Sequence, residues 1–248
     1  MATTVKKVLQ ISFMLFILNS LVTAQQANWN EYLKSVQLEL LKTWPDNRTI
    51  NIVFHGHSVP CGYFATPVVN TMVAYPHLTL TNVKEIYPYA VVNVITTSKG
   101  GENAEDAEKR FTRDVLSMKP DVLFIDYALN DRNIGLLRAE KAWRKMIEAT
   151  LNVGCKLILL TPTPDLTEDI LNEHAPLEAH AQQIRNLASE YKVGLVDSYL
   201  TFKILKQSGK NLSEYMAQNN HPNEYGHQVV ADEIKKWFLL STTEIPSL

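Results

Sequence analysis

Asn51-Ile52-Val53-Phe54-His55-Gly56-His57-Ser58-Val59-Pro60 is the stretch whose reading decides the fold. A short apolar, β-branched run stops at Gly56, and a small hydroxyl residue, Ser58, follows almost at once. Such a run reads as a buried parallel strand handing over to a loop. In an open α/β sheet, that handover lies on the rim where ligands bind.

Working outward, the same alternation recurs. Apolar residues at helical spacing (Tyr32, Leu33, Val36, Leu38, Leu40, Leu41, Trp44) predict a helix over 30–44, ended by Pro45-Asp46-Asn47. Strands are expected at about 49–54, 90–96, 122–125, 156–160 and 193–196. Helices are expected at 76–87, 102–118, 136–151, 177–191 and 223–238. Residues 59–75, with Pro60, Gly62 and Pro67 among apolar side chains, read as an irregular segment suited to lining a substrate site. Strands alternating with helices of this length predict a three-layer α/β/α sandwich on a parallel sheet of about five strands.

The chain has 248 residues, 46% hydrophobic and 20% charged, enough for one domain with a sizeable core. Lys and Arg are scattered at a formal net charge of −2, so no basic patch is offered to nucleic acid or to an anionic membrane. Lys6-Lys7, the apolar run from Val8 to Val22 and the small residues of Val22-Thr23-Ala24 read as a secretory signal peptide, residues 1–24, followed by a single domain, residues 25–248. Cleavage would remove two lysines and no acid, moving the charge from −2 to −4. The expectation is a secreted or periplasmic protein with no membrane contact after cleavage.

Cys61 follows the first strand and Cys155 precedes a later one, which puts them at opposite edges of a parallel sheet. A strand of about six residues at ~3.3 Å each separates them by far more than the ~7 Å a disulfide spans. Two free thiols are expected, Cys61 as a small buried side chain rather than a nucleophile.

Chemistry-bearing residues fall just after successive strands: Ser58, Gly100-Gly101, Asn130 and Pro162 to Asp165. His221-Pro222 leads into the last helix and reaches the same rim if that helix packs back like its predecessors. With these blocks in order, the chain resembles the SGNH/GDSL hydrolases. Gly56-His57-Ser58-Val59 stands for G-D-S-L, Gly101 for the second-block glycine, Asn130-Asp131 for G-x-N-D, and His221-Pro222 for D-x-x-H-P.

The resemblance implies a flavodoxin-like fold and the hydrolysis of esters, often acetyl or other short acyl esters on carbohydrates, without a cofactor or metal. It assigns Ser58 as nucleophile and His221 as general base. Ser58 N–H, Gly101 N–H and the Asn130 amide become the oxyanion donors. Three positions depart from the pattern: His57 for the first-block Asp, Ala128 for the glycine before Asn130, and Gln218 for the acid three residues before His221. Either Gln218 or a backbone carbonyl of its own loop sets the tautomer of His221, or Asp126, Asp131 or Asp165 replaces the acid.

Two other readings compete. His55-x-His57 with His221, His227 and nearby Asp residues would make a metal-dependent hydrolase, and loss of the acid would suit a non-catalytic carbohydrate binder. Phe54, Tyr63, Phe64, Tyr75 and Tyr127 are candidates to stack on sugar rings. No long apolar lid is visible, which disfavours a lipase acting at an oil surface.

Overall fold

A computed structural model describes residues 27–240, so the expected signal peptide lies outside the described residues. In chain order the elements are α1 (Trp29–Tyr32), α2 (Lys34–Leu40), β1 (Thr49–Gly56), α3 (Ser58–Cys61), α4 (Tyr75–Ile86), β2 (Val91–Thr96), α5 (Ala104–Asp114) and β3 (Val122–Asp126). There follow α6 (Ala128–Asp131), α7 (Leu136–Asn152), β4 (Lys156–Leu160), α8 (Pro176–Tyr191), β5 (Gly194–Val196), α9 (Ser198–Gln207), β6 (Met216–Gln218), β7 (His221–Pro222) and α10 (Glu224–Lys235).

The five-stranded sheet has the order β2-β1-β3-β4-β5, and every pairing in it is parallel. The inner strands are covered on both faces, which explains their continuous hydrophobic character. Ile52, Phe54, Val122, Phe124, Ile158 and Leu160 pack with α2, α4, α9 and α10. The intervening Val53, Leu123, Ile125, Leu157 and Leu159 pack with α5, α7 and the C-terminal half of α8. The expected three-layer sandwich is the one observed.

Several boundaries differ from expectation. The helix expected over 102–118 starts at Ala104, because Asn103 caps it by accepting from Asp106 N, and a 3-10 turn replaces its last residues. Helix α9 and the β6/β7 hairpin were not expected. The hairpin strands have only three and two residues, too few to show a period. Cys61 and Cys155 are both free, as expected, although Cys61 is only partly buried.

This order reverses direction between β1 and β3, and ligands of such sheets bind in the crevice beyond the carboxyl ends of those two strands. Gly56 marks that point. A Cβ there would sit 2.6 Å from the Asp126 carbonyl oxygen on β3 and 2.6 Å from Pro60 Cγ, so glycine is required by space. Gly56→Ala is expected to cost about 1–3 kcal/mol, read as a lower denaturation midpoint at unchanged m value. An unchanged midpoint would contradict the close approach.

Candidate active site

Ser58 opens the single turn of α3, where the first backbone N–H groups of a helix have no intrahelical partner. Its turn is closed by Gly62, whose φ of +89° is left-handed and whose missing Cβ leaves room for the Asn70 carbonyl. His57 caps the turn, its Nδ1 accepting from Val59 N at 3.3 Å. The tautomer that accepts there carries its proton on Nε2, which faces Asp126 Oδ1 at 3.4 Å. Asp126 also accepts from Tyr75 OH at 2.9 Å. The residue standing for the first-block Asp is thus a buried cap lying beside a buried carboxylate, with no hydrogen bond between His57 Nε2 and Asp126 Oδ1.

His221 arrives from the other end of the chain. A two-residue turn, Asn219-Asn220, joins β6 to β7 and makes Gln218 and His221 direct cross-strand partners. Residues three apart therefore share one side of the hairpin. Asn223 then caps α10 by accepting from Tyr225 N and Gly226 N, and its own N–H donates to the Tyr215 carbonyl at 3.0 Å. This seats His221 Nε2 2.9 Å from Ser58 Oγ. Both side chains are almost fully buried, at 8% and 7% exposure.

His221 Nδ1 has two neighbours. The Phe64 carbonyl oxygen lies at 2.9 Å and Gln218 Nε2 at 2.8 Å, while Gln218 Oε1 accepts from Thr66 N at 3.1 Å. The expectation that the Gln218 carbonyl, or a backbone carbonyl of its own loop, accepts from Nδ1 is therefore corrected. The oxygen facing the ring belongs to the segment after α3. The relocated-acid expectation is corrected as well. Asp131 accepts from Ala104 N and from Trp143 Nε1, both at 2.7 Å. Asp165 is paired with Arg132 at 2.6 Å and Thr167 at 2.6 Å, and Asp126 faces His57.

Gly101 and Asn130 follow β2 and β3, the two strands that flank β1, and so stand on either side of Ser58 in strand order. Asn130 Nδ2 donates to the Glu102 carbonyl at 2.9 Å, which ties the two loops together and leaves the second amide proton for another acceptor. Gly101 adopts φ +77° with nothing within 4 Å of a built Cβ, so here glycine answers to backbone conformation and not to crowding by the protein.

The sequence reading missed what holds the Gly101 loop from below. Glu102 is paired with Arg110 and accepts from Tyr127 OH at 2.8 Å. Tyr127 OH is also 3.2 Å from His55 Nε2, and His55 Nδ1 is 2.9 Å from Thr97 Oγ1. A charged Glu in a glycine loop opposite an Arg one or two helical turns on was the available signal. It leaves His55 and His57 with separate partners. Among the described residues no group of three His, Cys, Asp or Glu is placed to hold a metal ion.

Four of the five aromatic candidates are core. Phe54, Tyr75 and Tyr127 are fully buried and Phe64 nearly so, while Tyr63, 5.9 Å from the His221 ring, is the partly open one. Burial pushes the Cys61 thiol up to about 11, which keeps it protonated at neutral pH.

Burial also lowers the pKa of His221, and nearby His57 adds to this, while the bond to the Phe64 carbonyl opposes it. Burial holds His55 and His227 at about 3 and His180 at about 4. In the unfolded chain each titrates near 6.5. Below that value the unfolded state takes up protons that the folded state refuses, so stability is full above pH 6.5 and falls as the pH drops toward 3. Imidazole NMR is expected to show His221 titrating below 6.5, with His55 and His227 silent down to pH 4. A His221 value above 6.5 would contradict this environment.

Residues 54–229 match the sequence profile described as the GDSL-like lipase/acylhydrolase family. A comparison with curated proteins finds no match. Among solved structures, the chain is similar to an acetylxylan esterase from Geobacillus stearothermophilus, at 19% identity over 81% of this chain and 97% of that one, with a TM-score of 0.67. Catalytic mutants of that enzyme replace a serine, a histidine and an aspartate three positions before the histidine. The chain is also similar to a two-domain esterase active on acetylated mannans, at 19% identity over 87% of this chain and 54% of that one, with a TM-score of 0.69.

Proposed function

We propose, from the premise that this chain belongs to the GDSL-like lipase/acylhydrolase family and is an ester-bond hydrolase, that it removes acetyl or other short acyl groups from carbohydrates with Ser58 as nucleophile. The observation that carries the reading is the 2.9 Å contact between Ser58 Oγ and His221 Nε2 just beyond the carboxyl end of β1. The acyl-carbohydrate substrates named for the two structural relatives support the substrate class.

In this mechanism Ser58 Oγ attacks the ester carbonyl while His221 Nε2 takes its proton. The oxyanion is met by the backbone N–H of Ser58, the backbone N–H of Gly101 and the Asn130 amide proton not engaged by the Glu102 carbonyl. Collapse expels the sugar oxygen, which leaves with the proton held on His221. Water then attacks the acyl-enzyme by the same base and returns Ser58. Burial lowers the His221 pKa and so favours the neutral form, the state that accepts a proton. We extend the proposal to export, with residues 1–24 as a cleaved signal peptide and the product secreted or periplasmic.

The test is an activity screen on acetylated xylo- and manno-oligosaccharides against p-nitrophenyl esters of increasing chain length. Acetyl esters are expected to be turned over fastest. A preference for long acyl chains would overturn the carbohydrate reading. Ser58→Ala is expected to abolish turnover without unfolding the chain, and retained kcat would end the serine mechanism. Asn130→Ala is expected to lower kcat by ~10²-fold with KM nearly unaltered, since a donor aimed at the oxyanion acts in the transition state. A change confined to KM would make Asn130 a substrate-binding residue instead.

A further inference from the structure

We infer that the position of the missing triad acid is filled by the main-chain carbonyl of Phe64, and that Gln218 is a strap that holds this carbonyl in place; the inference rests on the esterase reading above. To accept the proton of Ser58, His221 needs Nε2 bare and its own proton on Nδ1. That proton needs an acceptor in a buried setting, and the Phe64 oxygen is 2.9 Å away. The Gln218 amide cannot serve in its observed orientation. Its nitrogen is a donor 2.8 Å from Nδ1, so with the proton on Nδ1 it makes no hydrogen bond to the ring, and its acceptor is Asn220 Oδ1 at 3.4 Å. Its oxygen is engaged by Thr66 N at 3.1 Å and Thr66 Oγ1 at 3.4 Å.

The carbonyl is fixed well enough for the task. Phe64 N donates to the Val68 carbonyl at 3.0 Å, Asn70 N donates to Gly62 O at 2.7 Å, and Tyr63 bridges to Val69. The Phe64 ring stacks on His227 at 5.5 Å. The Thr66–Gln218 bonds tie the 63–70 loop to the β6/β7 hairpin. Orientation of His221 thus comes from a neutral dipole on the loop that also presents Tyr63. A carboxylate would add charge stabilisation of the imidazolium, and the carbonyl supplies only direction and part of that field.

The carbonyl can be weakened without touching a side chain. Replacing Ala65 by its α-hydroxy acid turns the Phe64 amide carbonyl into an ester carbonyl, a poorer acceptor. The Ala65 N–H lost in the exchange donates to no acceptor among the described residues. The expected result is a fall in kcat of about tenfold, the equivalent of one weakened hydrogen bond, with KM little changed. The acidic limb of the kcat/KM profile moves to lower pH, because the Phe64 bond raises the His221 pKa. Gln218→Glu, isosteric and carrying an acceptor oxygen, is expected to restore the rate in that background and to move the limb to higher pH. Gln218→Ala alone is expected to cost tenfold or less.

A backbone ester that leaves both the rate and the limb unchanged in a folded protein would overturn the role of the carbonyl. So would a loss that Gln218→Glu fails to rescue. Either result with Ser58→Ala still inactive overturns this inference alone. Retained activity in Ser58→Ala overturns the esterase reading beneath it.

Discussion

The parallel pairing of β1 on both of its edges is the constraint on which the site depends. Because β2 and β3 hold β1 between them, the chain after Gly56 is delivered to the rim with the Gly101 loop on one side and the Asn130 turn on the other. The register also sets Gly56 against Asp126, at the distance where only a glycine fits. The hydrogen bond from the β6/β7 hairpin then spans 163 residues of sequence to reach Ser58. The Asn223 cap and the long-range packing of α10 against α4 fix where the hairpin lands.

Around that rim the carboxylates Glu102, Asp131, Asp165 and Glu168 are each committed to a partner. Asp131 ties the start of α5 to Trp143, Asp165 and Glu168 hold Arg132, and Glu102 joins Arg110 to Tyr127 and His55. Burial raises the Asp131 carboxyl to about 6 against the opposing pull of its two N–H donors. These are positioning groups, and their cost in desolvation is offset by fixing loops that carry no regular structure. Asp131 and Asp165 are thus engaged away from His221, Asp131 with Ala104 N and Trp143 and Asp165 with Arg132 and Thr167.

How much of this was legible in the sequence follows from the range of the interactions. The strands showed themselves because Val53, Leu123 and Leu159 alternate with residues that face the other helix layer, giving unbroken apolar runs. The long amphipathic helices, α7 and α8, gave their periods over four turns or more. Ser58, Gly101, Asn130 and His221 were visible as residue types at strand ends. The hairpin was not, since two or three residues carry no period, and its message lay only in the spacing of Gln218 and His221. The Phe64 carbonyl was beyond reach for a deeper reason: a main-chain oxygen has no letter in the sequence. Only the fold of residues 62–70 makes it an acceptor.

The direct test of the central claim is covalent labelling of the purified protein by a serine-directed phosphonate, followed by peptide mass spectrometry and by the labelling rate in His221→Ala. The account predicts one label per chain, located on Ser58, and a large loss of rate when the imidazole that removes the Ser58 proton is absent. Labelling at another residue, or a rate unchanged in His221→Ala, would contradict it.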